Sequence, residues 1–393
     1  MRILISVVVV FTFLLFDVAA AHTRSQSFST WTITENTTSF VFAVDARRAT
    51  QLSPLNPDQS DLSILLLGHL KATLAARQGR KNCELTQLVS LGQAYDILRI
   101  SGRFECPADV SKEAVTVSVS AFQFVSATHI HIARVEHGER SSDFVLREGR
   151  DQFDLDLKHS PNTVGEFLWV GFNHVLSGLD HVVFLIVLAF VAATPKQALL
   201  AISGFTLGHT ASLALVSLGV LSPDTKLVEA MIGFTIAVAA LEAGAKFGLD
   251  RRRALTAFAL ATLLIVLFSF GAGLSIVWAG LMLTIFAYSL GQLTDDVSHK
   301  IFLIITAAFG LVHGAGFAGG LTELSLQQTD LLMPLLGFNL GVELAQISAL
   351  GIVYVTILTV QRVPIFSDGM AEKTVSAVIF ALGCFWFASR IWL

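Results

Sequence analysis

Apolar and polar positions alternate over much of residues 22–160, which is the pattern of half-buried β-strands. The alternation is strict at Val115–Val119, and a second such run surrounds Phe42. One amphipathic helix is predicted over residues 61–77, with Ser60 as its N-cap. Residues 22–160 are therefore predicted to form a small β-rich domain, with a sandwich as the favoured architecture.

A short apolar run at the start of the chain is typical of a secretory signal. Arg2 precedes an apolar stretch over residues 3–16, and small residues follow at positions 18–21. The run is shorter than the ~20 residues that a membrane-spanning helix needs. Residues 1–21 are therefore predicted to be a signal peptide that directs residues 22–160 out of the cytoplasm; an uncleaved anchor is the alternative.

Long apolar segments dominate residues 165–393 and predict a polytopic α-helical membrane domain. The apolar segment 254–290 is too long for one spanning helix, and Gly271 and Gly273 divide it into a predicted hairpin of two spans. Eight transmembrane helices are predicted in all, near residues 167–192, 197–220, 227–247, 254–270, 272–290, 300–320, 332–360 and 374–391.

Composition and charge agree with a membrane location. The chain is 53% hydrophobic and only 14% charged, whereas soluble domains average about 25% charged residues. With residues 22–160 outside a cell (inner) membrane, the outer loops and C-terminus hold only Lys226 and Arg390. The inner loops then hold Lys196, Lys246, Arg251, Arg252, Arg253, Lys300, Arg362 and Lys373. The net charge of -4 and the absence of a long basic tract argue against a nucleic-acid partner.

Cysteine usage excludes one kind of metal site. Cys83 and Cys106 lie in the part predicted to be exported, where a disulfide could form and persist. Cys384 lies in the last apolar segment. No C-x-x-C motif occurs, so a thiolate metal site is not predicted.

Ionisable residues interrupt the apolar segments, although a charged side chain is costly in a bilayer unless it faces a partner, a cavity or a transported substrate. In the first predicted span, His174 and His181 are seven residues apart and share one helical face. Asn173, Ser177 and Asp180 form an adjoining stripe on the same helix.

Three later spans carry similar groups. The second span has Thr206, His209 and Ser212, and the sixth has His313 between glycines, which allow close helix approach. The seventh carries polar residues at i, i+4 and i+7, namely Asn339, Glu343 and Gln346.

A shared depth in the membrane suggests one shared site. Asp180, His181, His209, His313 and Glu343 all fall near the middle of their predicted spans. Imidazoles and carboxylates together suit a divalent transition metal, and nickel, cobalt, zinc and iron all remain possible. Each residue alone could instead make a hydrogen bond between neighbouring helices.

The same residues resemble a family pattern. The H-x5-D-H motif from His174 to His181 resembles the histidine–aspartate motif of the HupE/UreJ family, and residues 205–212, 310–318 and 338–346 look like its other motifs. The resemblance implies a nickel or cobalt permease. Two departures are Val175, where the family often has proline, and an apparent insertion at 254–290. The exported domain resembles that of a longer branch of the family.

We therefore expect membrane transport of a divalent metal ion, with Ni²⁺ as the favoured substrate and Co²⁺ as the alternative, and with no tightly bound cofactor. The predicted metal ligands are His174, Asp180, His181, His209, His313 and Glu343, supported by Asn173, Ser177, Thr206, Ser212, Asn339 and Gln346. An intramembrane zinc hydrolase, which would use Zn²⁺ as its cofactor, is the first alternative. A non-catalytic metal sensor or assembly factor, whose outer domain meets a protein partner, is the second.

Histidines also occur in the predicted outer domain. His129 and His131 share one face of a predicted strand, and His137 follows closely. They could capture metal for the membrane domain, but a solvated strand face is the favoured interpretation.

Overall fold

The computed structural model places most of the chain in two compact units. The first comprises Thr23–Phe167 with Gly320–Gly337, and the second comprises Leu168–Gly319 with Phe338–Leu393. The predicted signal peptide and the predicted 254–290 hairpin lie outside the residues described. Those described are residues 25–52, 61–94, 97–110, 113–126, 128–137, 140–155, 163–192, 194–221, 223–250, 299–322, 332–360 and 370–392.

The first unit is a β-sandwich, as the alternating pattern predicts. A six-stranded sheet has the order β5-β6-β2-β1-β8-β9, and a four-stranded sheet has the order β10-β7-β3-β4. All strand pairs are antiparallel except β1 with β8. The strands are β1 Gln26–Thr34, β2 Thr37–Asp45, β3 Leu74–Gln78, β4 Lys81–Asn82, β5 Glu84–Ala94, β6 Ile97–Glu105, β7 Val115–Val119, β8 Ile130–His137, β9 Arg140–Leu146 and β10 Gln152–Asp154.

Aromatic side chains from both sheets fill the core of the sandwich. The Trp31 ring is fully buried and lies 4.7 Å from Phe40 and 5.8 Å from Phe153, measured between ring centroids. Cys83 and Cys106 form a disulfide. The two cysteines that sequence assigned to an oxidising compartment are therefore paired in the fold.

The helix predicted over residues 61–77 is only partly correct. Two helices precede the second sheet, α1 at Ala46–Ala49 and α2 at Leu62–Thr73. Asp61 caps α2 by accepting a hydrogen bond from the Ser63 amide at 2.9 Å; the predicted cap, Ser60, lies outside the described residues. The helix ends early because Leu74–Gln78 forms β3 and pairs with β7, a tertiary contact that local pattern does not reveal.

The second unit is helical. Four of its helices are long and apolar enough to cross a membrane, and a bent helix pair makes a fifth candidate span, counted over the described residues. Eight spans are not confirmed within that part of the chain. The helices are α3 Thr163–Ser177, α4 Leu179–Val191, α5 Pro195–Ser217, α6 Thr225–Lys246, α7 His299–Thr322, α8 Leu332–Val360 and α9 Met370–Trp392.

The first predicted span is broken rather than continuous. Helices α3 and α4 meet at Gly178 with a bend of 70°. His174 and His181 therefore do not share one face of a straight helix, and the sequence-based prediction is wrong on this point. Irregular backbone at membrane depth is tolerated where it is buried in protein or lines a cavity, so the break itself marks a special position.

Glycines bring the helices of this unit into backbone contact. A Cβ atom at Gly208 of α5 would collide with the Ala307 carbonyl of α7, and one at Gly310 would collide with the Phe205 carbonyl. A Cβ at Gly233 of α6 would lie 2.6 Å from the Phe387 amide nitrogen of α9. Small residues at helix crossings permit this packing in membranes.

The helix directions constrain the predicted topology. Gly204 contacts Thr306 and Gly314 contacts Ser212, so α5 and α7 run in the same direction. Thr235 of α6 lies beside His313 and Val228 lies beside Gly316, so α6 runs in the direction opposite to α7 and α5. The end of α6 and the start of α7 therefore lie at the same end of the helical unit.

Candidate metal centre

Four histidines and one aspartate meet inside the helical unit. His174, His181 and His209 each offer a ligand atom within 4.8 Å of the others, and so do Asp180, His181 and His313. His181 belongs to both groups, which we call the imidazole triad and the mixed triad. All five side chains are buried, with at most 8% of any residue exposed.

The break at Gly178 places three of these ligands. His174 lies in the last turn of α3, whereas Asp180 and His181 lie in the first turn of α4. Because the helix bends there, both ends point their side chains into one space, and the His174 and His181 ring centroids are 4.7 Å apart. Asp180 also lies at a helix N-terminus, where the helix dipole stabilises negative charge.

Glycine is needed at the break for steric reasons. A Cβ atom at Gly178 would lie 2.8 Å from Nδ1 of His181, 2.9 Å from a carboxylate oxygen of Asp180 and 2.9 Å from the His174 carbonyl oxygen. Any larger residue would therefore have to displace the ligands themselves.

The other two candidate ligands come from neighbouring helices. His209 lies on α5 and His313 on α7, and their rings lie 6.5 Å and 5.5 Å from that of His181. The contacts of Gly310 and Gly314 with the α5 backbone hold the two helices close enough for this. The cluster is therefore a product of helix packing.

Aromatic rings enclose the cluster. Phe338 stacks on His209, with 6.0 Å between centroids and 14° between planes, and Phe205 lies 5.1 Å from His313. Both phenylalanines are fully buried, and Phe184 closes the side next to His313 at 5.8 Å. A wall of this kind keeps water out and strengthens electrostatic interactions inside.

The donor set fits a divalent transition metal. Nδ1 of His181 lies 3.0 Å from Oδ1 of Asp180, and Nε2 of the same ring makes no hydrogen bond with any residue that the structure describes. A buried polar atom without a hydrogen bond is costly, so a ligand for it is favourable. Imidazole nitrogens bind such ions at about 2.0–2.1 Å, which places them roughly 3–4 Å apart. Small side-chain rotations would bring either triad to that spacing.

Glu343 is not brought to the cluster. Its carboxylate accepts a hydrogen bond of 3.2 Å from the Ser203 hydroxyl, and the side chain is half-buried. Gln346 accepts a hydrogen bond of 3.0 Å from Thr206. Asn339 is buried on the same helix, α8. The Ser203–Glu343 and Thr206–Gln346 pairs lie outside both triads, whereas the Asn339 side chain interacts with His209 of the imidazole triad.

Three supporting residues satisfy their own helices. Asn173 donates to the Trp169 carbonyl at 3.0 Å, and the exposed Ser177 donates to the Asn173 carbonyl at 2.7 Å. Ser212 is buried and donates to the His209 carbonyl at 3.2 Å. None of these three belongs to either triad.

Sequence reasoning missed two polar neighbours. Thr235 of α6 is fully buried, and its hydroxyl lies 3.2 Å from Nε2 of His313. Ser203, the partner of Glu343, lies one turn before Thr206 on α5. Both residues could have been found from their position in the sequence, because each is a hydroxyl residue in the middle of an otherwise apolar segment.

The histidines of the sandwich are not on a solvated face. His129 and His131 are each only 1% exposed and contact serines in and just before β1. Ser25 and Ser27 contact the two nitrogens of His129 at 2.6 Å and 2.9 Å, and Ser27 and Ser29 contact those of His131 at 2.7 Å and 2.8 Å. The favoured interpretation of the sequence is wrong here, and the serine contacts occupy the nitrogens that metal capture would need.

The comparisons with known proteins give a family. The family model described as HupE / UreJ protein matches residues 150–276 and 253–390, which together cover more than half of the chain. No curated protein matches the chain.

Proposed function

Because this chain belongs to the HupE/UreJ family, we propose that it moves a divalent transition-metal ion across a membrane through its histidine–aspartate cluster, with Ni²⁺ as the favoured ion and Co²⁺ as the alternative. The family is associated with nickel and cobalt transport, which supports metal transport in general. The apolar helices suit a multi-pass membrane protein.

One observation carries the proposal: two triads of buried ligands share His181 at a break in a membrane helix. Broken helices at membrane depth form the ion sites of many transporters. Three imidazoles in one triad suit a borderline metal such as Ni²⁺, and one carboxylate in the other offsets part of its charge. Mg²⁺ and Ca²⁺ prefer sites built from oxygen alone.

The cluster can bind the ion only after the ion sheds water. Phe205 and Phe338 pack against the histidine rings, so we expect imidazole nitrogens to replace water ligands of the ion. Those nitrogens must be unprotonated to bind, so acid weakens binding and each bound ion competes with protons.

The sandwich domain is proposed to lie outside the inner membrane, following a cleaved signal peptide. The Cys83–Cys106 disulfide supports an oxidising compartment for this unit. The positive inner loops of the predicted topology support the same orientation.

The test is cellular metal content together with metal binding by the purified protein. Wild type and His181→Ala would be produced in a host deficient in nickel uptake, and Ni, Co, Zn, Fe and Cu would be measured by mass spectrometry. We expect one metal to change with wild type alone, because His181 belongs to both triads. His69→Ala, in the sandwich, is the matched control and should behave as wild type.

The zinc-hydrolase alternative gives a different result. Unchanged metal pools, with well-inserted protein that purifies with about one tightly held zinc per chain, would contradict transport and favour hydrolysis.

A further inference from the structure

Polar side chains continue away from the cluster between α5 and α8. Ser203 bonds to Glu343, and Thr206 bonds to Gln346. Ser203, Thr206 and His209 follow one another at three-residue steps along α5, so the two polar pairs form a row that begins at the imidazole triad.

Glu343 lies well beyond the reach of an ion held in the triads. Ser203 precedes His209 by six residues, which is about 9 Å along a helix axis. Ser203 is also nearer than His209 to the Pro195 end of α5, where that helix follows α4. The row therefore leads from the cluster toward that end of the helical unit.

The surroundings of Glu343 make an uncompensated negative charge energetically unfavourable. Its neighbours on α8, Leu340, Leu344 and Ile347, are exposed on the outer surface of the unit, where lipid would contact them. A carboxylate at this depth requires water, a cation or a strong donor. Among the residues that the structure describes, the Glu343 carboxylate accepts one hydrogen bond, from the uncharged Ser203 hydroxyl, so its other lone pairs could bind a further ligand.

We propose that Ser203, Thr206, Glu343 and Gln346 form a second, weaker cation station, which a metal ion occupies on its way between the imidazole triad and the Pro195 end of α5. This inference rests on the proposed transport function. It assigns Glu343 to the passage of the ion and not to the cluster that holds it.

The cluster should bind the metal ion more strongly than the second station, which suits an ion that is held at the cluster and then released. Imidazole nitrogens bind Ni²⁺ and Co²⁺ more strongly than hydroxyl and amide oxygens do. An ion leaving the cluster would otherwise meet hydrocarbon, and one carboxylate offsets part of its charge at the next step. Weak oxygen ligands then release it readily.

The test separates binding from movement. Wild type, Glu343→Gln and His181→Ala would be purified and reconstituted in vesicles, and both Ni²⁺ affinity and Ni²⁺ flux would be measured. For Glu343→Gln we expect affinity within about threefold of wild type and flux reduced at least about tenfold, because the cluster is intact while the charge of the second station is lost. Ser348→Ala is the control, since its hydroxyl bonds to its own helix at Leu344; it should change neither quantity.

The outcomes distinguish this inference from the proposed function. If wild type neither binds nor moves Ni²⁺ or Co²⁺, the proposed function fails. If Glu343→Gln moves Ni²⁺ at the wild-type rate, or loses Ni²⁺ affinity as severely as His181→Ala does, the second station is refuted while transport stands.

Thiol labelling checks the station independently. Cys384 is the sole unpaired cysteine of the chain, so Cys384→Ala gives a background in which a cysteine can be placed at Glu343 or at the lipid-facing Leu344. We expect the Glu343→Cys protein to react with a charged thiosulfonate reagent and Ni²⁺ to slow that reaction. The Leu344→Cys protein should stay unreactive. If the Glu343→Cys protein is as unreactive as the Leu344→Cys protein, the proposal is overturned, because a cation cannot reach a position that water does not reach.

Discussion

Acid should destabilise the sandwich through its buried serine–histidine ladder, which is formed by Ser25, Ser27, Ser29, His129 and His131. The Trp31 indole donates to Ser29 at 2.7 Å, and an indole can only donate. Ser29 can then donate its hydroxyl proton to Nε2 of His131, Nδ1–H of that ring can donate to Ser27, and the same pattern can repeat at His129, which is the arrangement we infer. Each imidazole is therefore neutral, with one donor and one acceptor in use.

A proton on either ring would break this pattern by turning an acceptor nitrogen into a donor. Burial lowers the pKa of His129 to about 3, aided by the nearby positive charge of Arg48 and by His69. Burial also lowers the pKa of His131 well below its ordinary value, with His129 adding to the effect. In the unfolded chain both histidines titrate near 6.5.

The direction and size of the effect follow from these values. Below pH 6.5 the unfolded chain binds protons that the folded domain does not, so stability is full above that pH and falls as the pH drops toward 3. Between pH 6.5 and pH 5, His129 alone removes about 2 kcal/mol, at about 1.4 kcal/mol per pH unit. His131 acts in the same direction.

Hydrogen exchange measured by mass spectrometry on the full chain in lipid nanodiscs would check this. After correction for intrinsic exchange rates, the free energy of opening of β1 and β8 should fall by about 2 kcal/mol or more from pH 7 to pH 5. A variant with both His129→Gln and His131→Gln keeps a donor and an acceptor at each position but cannot titrate there, so its pH dependence should shrink to the part that other groups such as His69 contribute. A wild-type change below about 0.5 kcal/mol would refute the neutral ladder.

Three further predictions concern glycines and a buried ion pair. Gly178→Ala should weaken Ni²⁺ binding by at least about tenfold, because the added Cβ would displace Asp180 and His181. Gly351→Ala is the control: a Cβ there meets nothing within 4 Å, so this variant should bind Ni²⁺ as wild type does. Gly208→Ala should lower the thermal midpoint of the purified protein by separating α5 from α7, again with Gly351→Ala as control; an unchanged midpoint would contradict the close packing. Asp143→Ala should destabilise the sandwich by about 3–5 kcal/mol in hydrogen exchange, because it leaves the buried Arg134 without the partner it holds at 2.8 Å and 2.9 Å; a cost below about 1 kcal/mol would refute the reasoning.

The amino-acid sequence determined the class of each unit and the chemistry of the cluster. Strict alternation at Val115–Val119 predicted a strand that the fold contains, because a two-residue period exposes one face to a core. Ionisable residues within apolar segments predicted the cluster residues, because only a partner or a ligand makes such residues tolerable in a bilayer. Four of the five residues in the two triads are histidines that this argument selected, and the fifth is Asp180.

Only the tertiary structure decided how these residues meet. The 70° break at Gly178 replaced one straight helix by two, since a glycine can be read from sequence but the neighbours that make a bend favourable cannot. From its depth in the predicted span, the sequence analysis grouped Glu343 with the histidines. In the structure, helix packing places Glu343 beside Ser203 instead. The serine partners of His129 and His131 come from a strand about a hundred residues away in sequence, paired in parallel with β8. Periodicity reports which side of an element is buried, but long-range pairing decides what covers it.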